Sequence, residues 1–221
     1  RRVAQRIGGL VAPTFSYGYK SQQKCGGGNH MPGTVSLEGQ TLVHQLRDVI
    51  KEFARHGGRN FAIVNGHYEN SWFINEAVDI ALRELRWDGI ATVKVVVLSY
   101  WDFVRKEAIA KLYPDGFPCW DVEHGGVLET SLMLEFQPGC VDMTAARDFR
   151  SSAEGAAIPP TGPVSYGWIS SDLNPAGTVG EAHLASAEKG RMTATHQVAG
   201  LIALLRQVRD AAIPQAPSGW K

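Results

Sequence analysis

The sequence has few cysteines, no long apolar run and no excess of charge of either sign. Its three cysteines, Cys25, Cys119 and Cys140, are too few and too scattered for a disulfide framework. No apolar stretch approaches the roughly 18 residues that a membrane span needs. Basic and acidic residues number 22 each, so the charge favours neither a nucleic-acid nor an anionic-membrane partner. We therefore expect a cytoplasmic protein that has neither kind of partner.

Signatures of covalent catalysis are also missing. There is no Gly-x-Ser-x-Gly elbow, and none of the cysteines has a CxxC or Cys/His partner at a meaningful spacing. What is present is ordinary for a globular chain: 221 residues, of which 44% are hydrophobic and 20% charged. This length suits one large domain over residues 1–221 better than two small ones.

Helical and strand patterns alternate along the chain. Apolar residues at helical spacing predict helices over about residues 36–56, 71–86, 104–112, 127–136 and 182–209. Runs rich in β-branched residues predict strands at 61–64 and 93–98, and a shorter strand at 10–15. Such alternation favours right-handed crossovers onto a parallel sheet. We therefore predict a three-layer α/β/α fold with a mostly parallel sheet.

The segment from Val64 to Asn70 carries a histidine and a carboxylate directly after a predicted strand. His67 and Glu69 would lie at the carboxyl end of that strand, where ligands usually bind in α/β proteins. An imidazole and a carboxylate can hold a divalent metal such as Zn or Mn. The alternative is a plain turn into a helix with both side chains solvated.

A second polar cluster stands before the helix predicted at 127–136. Glu123 and His124 are followed by two glycines, and this pair can supply a general acid or base. Ordinary first-turn residues of a helix would give the same pattern.

Two tryptophans lie in segments expected near the sheet edge. Trp101 follows the strand at 93–98, and Trp120 precedes Asp121. Their rings can wall a flat, guanidinium-like ligand, and the Asp121 carboxylate matches such a ligand. Packing in the core is an equal alternative for both tryptophans. The long glycine-rich loop before residue 34 adds Cys25 and His30 as further candidates.

Together these segments resemble the creatininase (creatinine amidohydrolase) family over nearly the whole chain. Six stretches carry the resemblance: Tyr17–Lys24, Gly26–His30, Pro32–Thr34, Asn65–Asn70, Leu98–Phe103 and Trp120–Gly126. The stretches with the tryptophans and the Gly-Tyr-Lys-Ser-Gln-Gln run are similar to the creatinine-hydrolysing members. The resemblance implies a cytoplasmic homohexamer with two divalent metal ions, commonly Zn and Mn, that reversibly hydrolyses creatinine to creatine.

The resemblance also implies a role for each matching residue. His67 and Glu69 would be ligands to different metal ions, while His124 and Glu123 would handle proton transfer. The remaining positions would contact the substrate, together with His124: Cys25, Tyr68, Trp101, Trp120 and Asp121.

The sequence departs from the family pattern at two places. Cys25 replaces a substrate-contacting serine, and a thiol is a weaker hydrogen-bonding group than a hydroxyl. The Glu-Gln-His-Gly motif, which in the family supplies further metal ligands on a segment before the helix at Arg1, does not occur. We therefore expect an N-terminally incomplete domain that lacks the first strand segment. Two alternatives follow: an amidase for another cyclic or formyl amide, or an inactive scaffold.

Overall fold

The computed structural model describes residues 1–20, 29–117, 120, 123–148 and 177–212. These residues cluster into two compact units. Unit 1 takes the described residues of Arg1–Gly18, Glu38–Asp102 and the segment from Val198 onward. Unit 2 takes those of Tyr19–Leu37 and Phe103–Gln197. The single domain over residues 1–221 stays a prediction.

Unit 1 contains the strands and the helices that the sequence predicts around them. Its elements in chain order are α1 (Arg2–Ile7), α2 (Gly39–Arg55), β1 (Asn60–Asn65), α3 (Asn70–Trp87) and β2 (Lys94–Ser99). A 3₁₀ turn, Tyr100–Phe103, follows β2 directly. The two predicted strands and the two long predicted helices are confirmed to within a few residues.

The two strands are parallel, as the alternation of helix and strand predicts. The register runs from Asn60 opposite Lys94 to Asn65 opposite Ser99. Both strands therefore end side by side, and the segments that leave them start from the same edge. This edge carries the His67 motif after β1 and Trp101 after β2.

The core of unit 1 lies between α2, α3 and one face of the strands. Its buried members are aliphatic side chains at helical spacing: Val43, Leu46, Ile50, Ala54, Ile74, Ala77, Ala81 and Leu85, with Val93 ahead of β2. Phe61 and Ile63 of β1 pack against them, whereas Val64 is 51% exposed. The alternation in β1 is thus that of a strand with one packed face.

The predicted strand at residues 10–15 is wrong. The segment has no regular secondary structure, and Leu10 is fully exposed, although Phe15 packs against the core. A strand needs a neighbour to receive its backbone hydrogen bonds, and within the described residues none pairs with this segment. Pro13 removes one of the donors that such pairing would use.

Unit 2 is mainly helical. It contains α4 (Lys106–Leu112), α5 (Val127–Phe136) and the first part of α6, a helix that spans Ala187–Asp210 and continues into unit 1. Short 3₁₀ turns lie at Pro138–Cys140, Met143–Ala145 and Ala182–Leu184. Isolated β-bridges join Tyr19 to Leu37 and His124 to Val179.

Polar contacts hold the start of α6 in unit 2. The Ser186 backbone N–H donates to the Ser131 hydroxyl of α5 at 3.1 Å, and Lys189 Nζ donates to the Leu184 carbonyl at 2.7 Å. Residues 149–176, which precede this helix, lie outside the described residues. None of the helices in the described part of the chain is long and apolar enough to cross a membrane.

We expect the substitution Leu85→Ala to destabilise the protein by about 2–5 kcal/mol, because it opens a cavity in the unit 1 core. Leu85 is 1% exposed in the wild-type structure. Chemical denaturation measures the loss. The matched control is Glu76→Ala on the exposed side of the same helix, which should change stability by less than about 0.5 kcal/mol. Equal effects of the two substitutions would contradict the described packing of α3.

Candidate active site

The turn between β1 and α3 presents a histidine and a buried glutamate at the carboxyl edge of the sheet. Glu69 is 5% exposed and precedes the first residue of α3. Its Oε2 lies 2.6 Å from Nδ1 of His67, whose side chain is 31% exposed. Although the two atoms are in contact, Glu69 Oε2 accepts no hydrogen bond of standard geometry within the described residues. Burial of a carboxylate is costly unless a cation or a donor partners it, so a bound cation would stabilise Glu69 here.

A buried asparagine organises this turn. Asn65, the last residue of β1, is 2% exposed. Its Oδ1 accepts from the His67 backbone N–H at 3.1 Å and from Asn70 Nδ2 at 3.3 Å. Its Nδ2 donates to the hydroxyls of Ser71 at 3.1 Å and Ser99 at 3.5 Å. The amide therefore joins the ends of both strands to the first turn of α3.

Aromatic side chains flank the same edge. Tyr68 packs edge-on against Trp72 with ring centroids 5.8 Å apart. Trp101 packs edge-on against Tyr100 at 4.9 Å, in the 3₁₀ turn that follows β2. The turn is held by the Asp102 carboxylate, which accepts from the Ser99 backbone N–H at 2.7 Å. Trp101 thus lies at the edge that the sequence predicts, and its role towards a substrate stays a prediction.

The donors at this edge suit a divalent metal in kind. Neutral imidazole and carboxylate are both zinc ligands, and the carboxylate also suits manganese. Because Nδ1 of His67 and Oε2 of Glu69 touch each other, metal binding would replace their mutual contact. Among the described residues no group of three or more His, Cys, Asp or Glu side chains could hold a metal ion. The two donors fit a metal ion by their chemistry, but among the described residues they supply only part of a metal centre.

In unit 2, Glu123 occupies a tight polar cradle. Its Oε1 accepts from the Leu128 backbone N–H at 2.9 Å, in the first turn of α5. A side chain at Gly126 or Gly180 would overlap the carboxylate, and Gly180 has a φ of +115°, where residues other than glycine are strained. The glycines thus let the backbone close around this carboxylate.

Burial makes the Glu123 carboxyl a weaker acid than an ordinary glutamate. The pKa of its carboxyl is raised to about 7 in total. Burial is the largest cause and the nearby Glu129 carboxylate adds to it, whereas the Leu128 N–H and the Tyr113 hydroxyl lower the pKa. Glu129 accepts from the Gly125 backbone N–H at 2.6 Å. A group with this pKa can both take and release a proton near neutral pH.

His124 is held by its backbone. Its N–H donates to the Val179 carbonyl at 2.9 Å, and its carbonyl accepts from the Val179 N–H at 2.6 Å. This bridge fixes the position of the residue without engaging the imidazole. Glu123 and His124 are thus adjacent and both held in place: the Glu123 carboxylate by the Leu128 N–H, and the His124 backbone by Val179.

Trp120 belongs to an aromatic cluster. Its ring packs edge-on against those of Phe117 and Tyr113, with centroids 4.5 Å and 6.4 Å apart. Packing is thus at least one function of this tryptophan. Two other predicted substrate contacts, Cys25 and Asp121, lie outside the described residues. His30 lies exposed in a turn of unit 2.

Sequence reasoning gives no role to three residues that the structure places at the site. Asn65 and Asn70 are visible in the sequence only as ends of the Asn65–Asn70 motif, and Ser99 only as part of the stretch Leu98–Phe103. The Asn-Gly pair after an apolar strand marks a turn, but not a network across two strands. Ser99 contributes only because β2 pairs in register with β1.

A parallel α/β unit with imidazole, carboxylate and aromatic groups at its carboxyl edge defines a class of proteins in which ligands bind beyond the strand ends. The family model described as Creatininase: Creatinine amidohydrolase matches residues 1–205 of the chain. The protein belongs to the creatininase family. This confirms the family that the sequence predicts.

The chain is also similar to individual family members. It is 52% identical over 211 residues to a creatinine amidohydrolase of Pseudomonas putida, an alignment that covers 94% of this chain and 78% of the relative. A mutant creatininase complexed with creatine is 49% identical with a TM-score of 0.85, covering 95% of this chain and 80% of that one.

Two further creatininase structures are similar at the same level. One mutant of the Zn-Zn type is 49% identical with a TM-score of 0.85, and a creatininase described as Mn is 50% identical with a TM-score of 0.84. Each alignment covers 95% of this chain and 80% of the other. These similarities confirm the predicted three-layer α/β/α fold class.

The raised pKa of Glu123 makes a prediction for stability. Between pH 4.5 and about 7 the folded protein holds a proton on Glu123 that the unfolded chain has released, so folding becomes less favourable as the pH rises. The substitution Glu123→Gln removes this dependence. Relative to wild type, the variant should gain about 2 kcal/mol between pH 5 and pH 8, less than full linkage because Glu123 keeps some exposure.

Denaturation midpoints of wild type and Glu123→Gln at the two pH values measure this gain. Glu107→Gln, at an exposed position of α4, is the control and should show the same pH dependence as wild type. If the difference in stability between Glu123→Gln and wild type were the same at both pH values, the raised pKa of Glu123 would not be the cause of the pH dependence.

Proposed function

We propose that the protein catalyses the reversible hydrolysis of creatinine to creatine, as an amidohydrolase that opens a cyclic amide. The observation that carries the proposal is the His67–Glu69 pair at the carboxyl edge of a parallel sheet. It occurs in a chain 52% identical to a creatinine amidohydrolase. The similarity to a creatininase complexed with creatine supports the same substrate class.

The proposal includes two divalent metal ions, with zinc and manganese as the candidates. The creatininase structures of the Zn-Zn type and of the Mn form support this choice. When bound, such ions polarise a carbonyl and lower the pKa of water to near neutrality. His67 and Glu69 would each hold a different ion. A catalytic zinc usually has three protein ligands, so each ion needs further donors beyond these two.

His124 and Glu123 would handle protons at the ring amide. Cleavage of the amide leaves a basic nitrogen that must be protonated, and an imidazolium is a suitable acid near neutral pH. The backbone bridge to Val179 holds His124 in place while leaving the chemistry to its side chain. Glu123, with a pKa of about 7, can exchange a proton in the same pH range.

The remaining predicted residues would bind the substrate. Creatinine is flat and carries a guanidinium-like group, which suits aromatic faces and a carboxylate. Tyr68, Trp101 and Trp120 would supply the rings, and Asp121 the carboxylate. Cys25 would contact the substrate through a thiol, which forms weaker hydrogen bonds than a hydroxyl.

The assembly and the compartment also belong to the proposal. We propose a homohexamer that acts in the cytoplasm on a small-molecule substrate, without a nucleic-acid or membrane partner. Equal numbers of acidic and basic residues support the last point.

We expect the protein supplied with Zn²⁺ or Mn²⁺ to convert creatinine to creatine, and the reaction to run in reverse from creatine. Creatine formation, followed alongside the metal content per chain, tests this. Other lactams and formyl amides are the comparison substrates, and preference for one of them would favour the alternative amidase. No turnover, with fewer than two tightly bound ions per chain, would favour a non-catalytic scaffold.

We expect His124→Gln to lower kcat by about 10²–10⁴-fold, because the general acid is lost while the backbone bridge to Val179 is kept. Steady-state kinetics and circular dichroism measure activity and fold together. His44→Gln, an exposed position on α2, is the matched control and should behave like wild type. Wild-type kcat in His124→Gln would remove His124 from the proposed mechanism.

A further inference from the structure

The Asn65 side chain uses its full hydrogen-bonding capacity, with two bonds accepted by Oδ1 and two donated by Nδ2. It contacts the turn, the first turn of α3 and the end of β2, all from a position 2% exposed. We propose that Asn65 is a positioning residue that holds His67 and Glu69 in the geometry needed to bind a divalent metal. The inference deepens the proposed function and rests on it.

The hydrogen bonds leave one orientation for the amide. The His67 backbone N–H can only donate, so the Asn65 atom that faces it at 3.1 Å must be the oxygen. The nitrogen then faces the hydroxyls of Ser71 and Ser99, which can accept. A side chain with one orientation and four partners holds its neighbours more firmly than one that can flip.

Asn65 contacts the chain on both sides of Glu69, at His67 and at Asn70. Asn65 Oδ1 holds the backbone of His67 on one side, and accepts from the Asn70 side chain on the other. Glu69 lies between these two points, directly before Asn70. A shift of the amide would therefore move both ligands, whereas a shift of the first turn of α3 alone would move mainly Glu69.

Asn70 links this network to a second segment. A Cβ atom at Gly18 would lie 2.7 Å from Asn70 Oδ1 and 3.1 Å from its Nδ2, so the Asn70 amide keeps its place only because residue 18 has no side chain. The substitution Gly18→Ala thus disturbs the same network from outside the turn. It does so without altering Asn65 or either candidate ligand.

The test measures Zn²⁺ affinity by chelator competition, on protein held well below its unfolding midpoint. Groups that orient metal ligands typically cost 10- to 100-fold in affinity when removed, and we expect a loss of about this size for Asn65→Ala. Ser71→Ala and Gly18→Ala should show smaller losses. They keep the test decisive if Asn65→Ala does not fold.

Two controls separate positioning from general destabilisation. Asn75→Ala changes an exposed asparagine on α3 and should keep wild-type affinity. Ser131→Ala removes a buried hydroxyl in unit 2, which accepts from the Ser186 N–H at 3.1 Å. It should lower the denaturation midpoint but leave Zn²⁺ affinity unchanged.

Wild-type affinity in folded Asn65→Ala would overturn the proposal, as would an equal loss in Ser131→Ala. If Asn65→Ala does not fold, wild-type affinity in both Ser71→Ala and Gly18→Ala would overturn it. Wild-type protein that binds no Zn²⁺ would overturn it as well. Creatinine turnover is measured separately. Normal Zn²⁺ binding with the expected ranking of variants, but no turnover, would support the positioning role and count against the proposed substrate alone.

Discussion

The parallel pairing of β1 with β2 is the constraint on which the candidate metal site depends. The register sets Asn65 opposite Ser99, so two strand ends that are 34 residues apart in the chain meet at one edge. The segments that follow them bring His67, Glu69 and Trp101 to this edge. An antiparallel pair would have sent the second segment to the opposite end of the sheet.

Two glutamates illustrate how the environment assigns different chemistry to the same side chain. Glu69 touches an imidazole at a sheet edge, which suits a ligand to a cation. Glu123 lies against glycines and a helix N-terminus, where burial raises the pKa of its carboxyl to about 7. Separation of two carboxyl groups by environment is a general means of assigning a ligand role to one and a proton-transfer role to the other.

Most of the regular structure could be predicted because it depends on local patterns. The helix Val127–Phe136 was predicted with its observed bounds, and β1 and β2 within a residue at each end. The prediction of a strand at residues 10–15 was wrong. Its apolar residues resemble those of a strand, but a strand requires a partner to receive its backbone hydrogen bonds. The apolar pattern was correct for Phe15, which packs on the core, and misleading for Leu10, which is exposed.

By itself the sequence determined the family, the alternation of helices and strands, and the residue types that bear the chemistry. These depend on short-range periodicity and on motifs that are contiguous in the chain. The tertiary structure decided which residues far apart in the chain come into contact. In the folded chain Asn65 donates to Ser99 across the sheet, Gly18 packs against Asn70, and Gly180 packs against the Glu123 carboxylate. Each of these contacts joins residues distant in sequence, so its strength depends on burial and register, which arise only when the chain has folded.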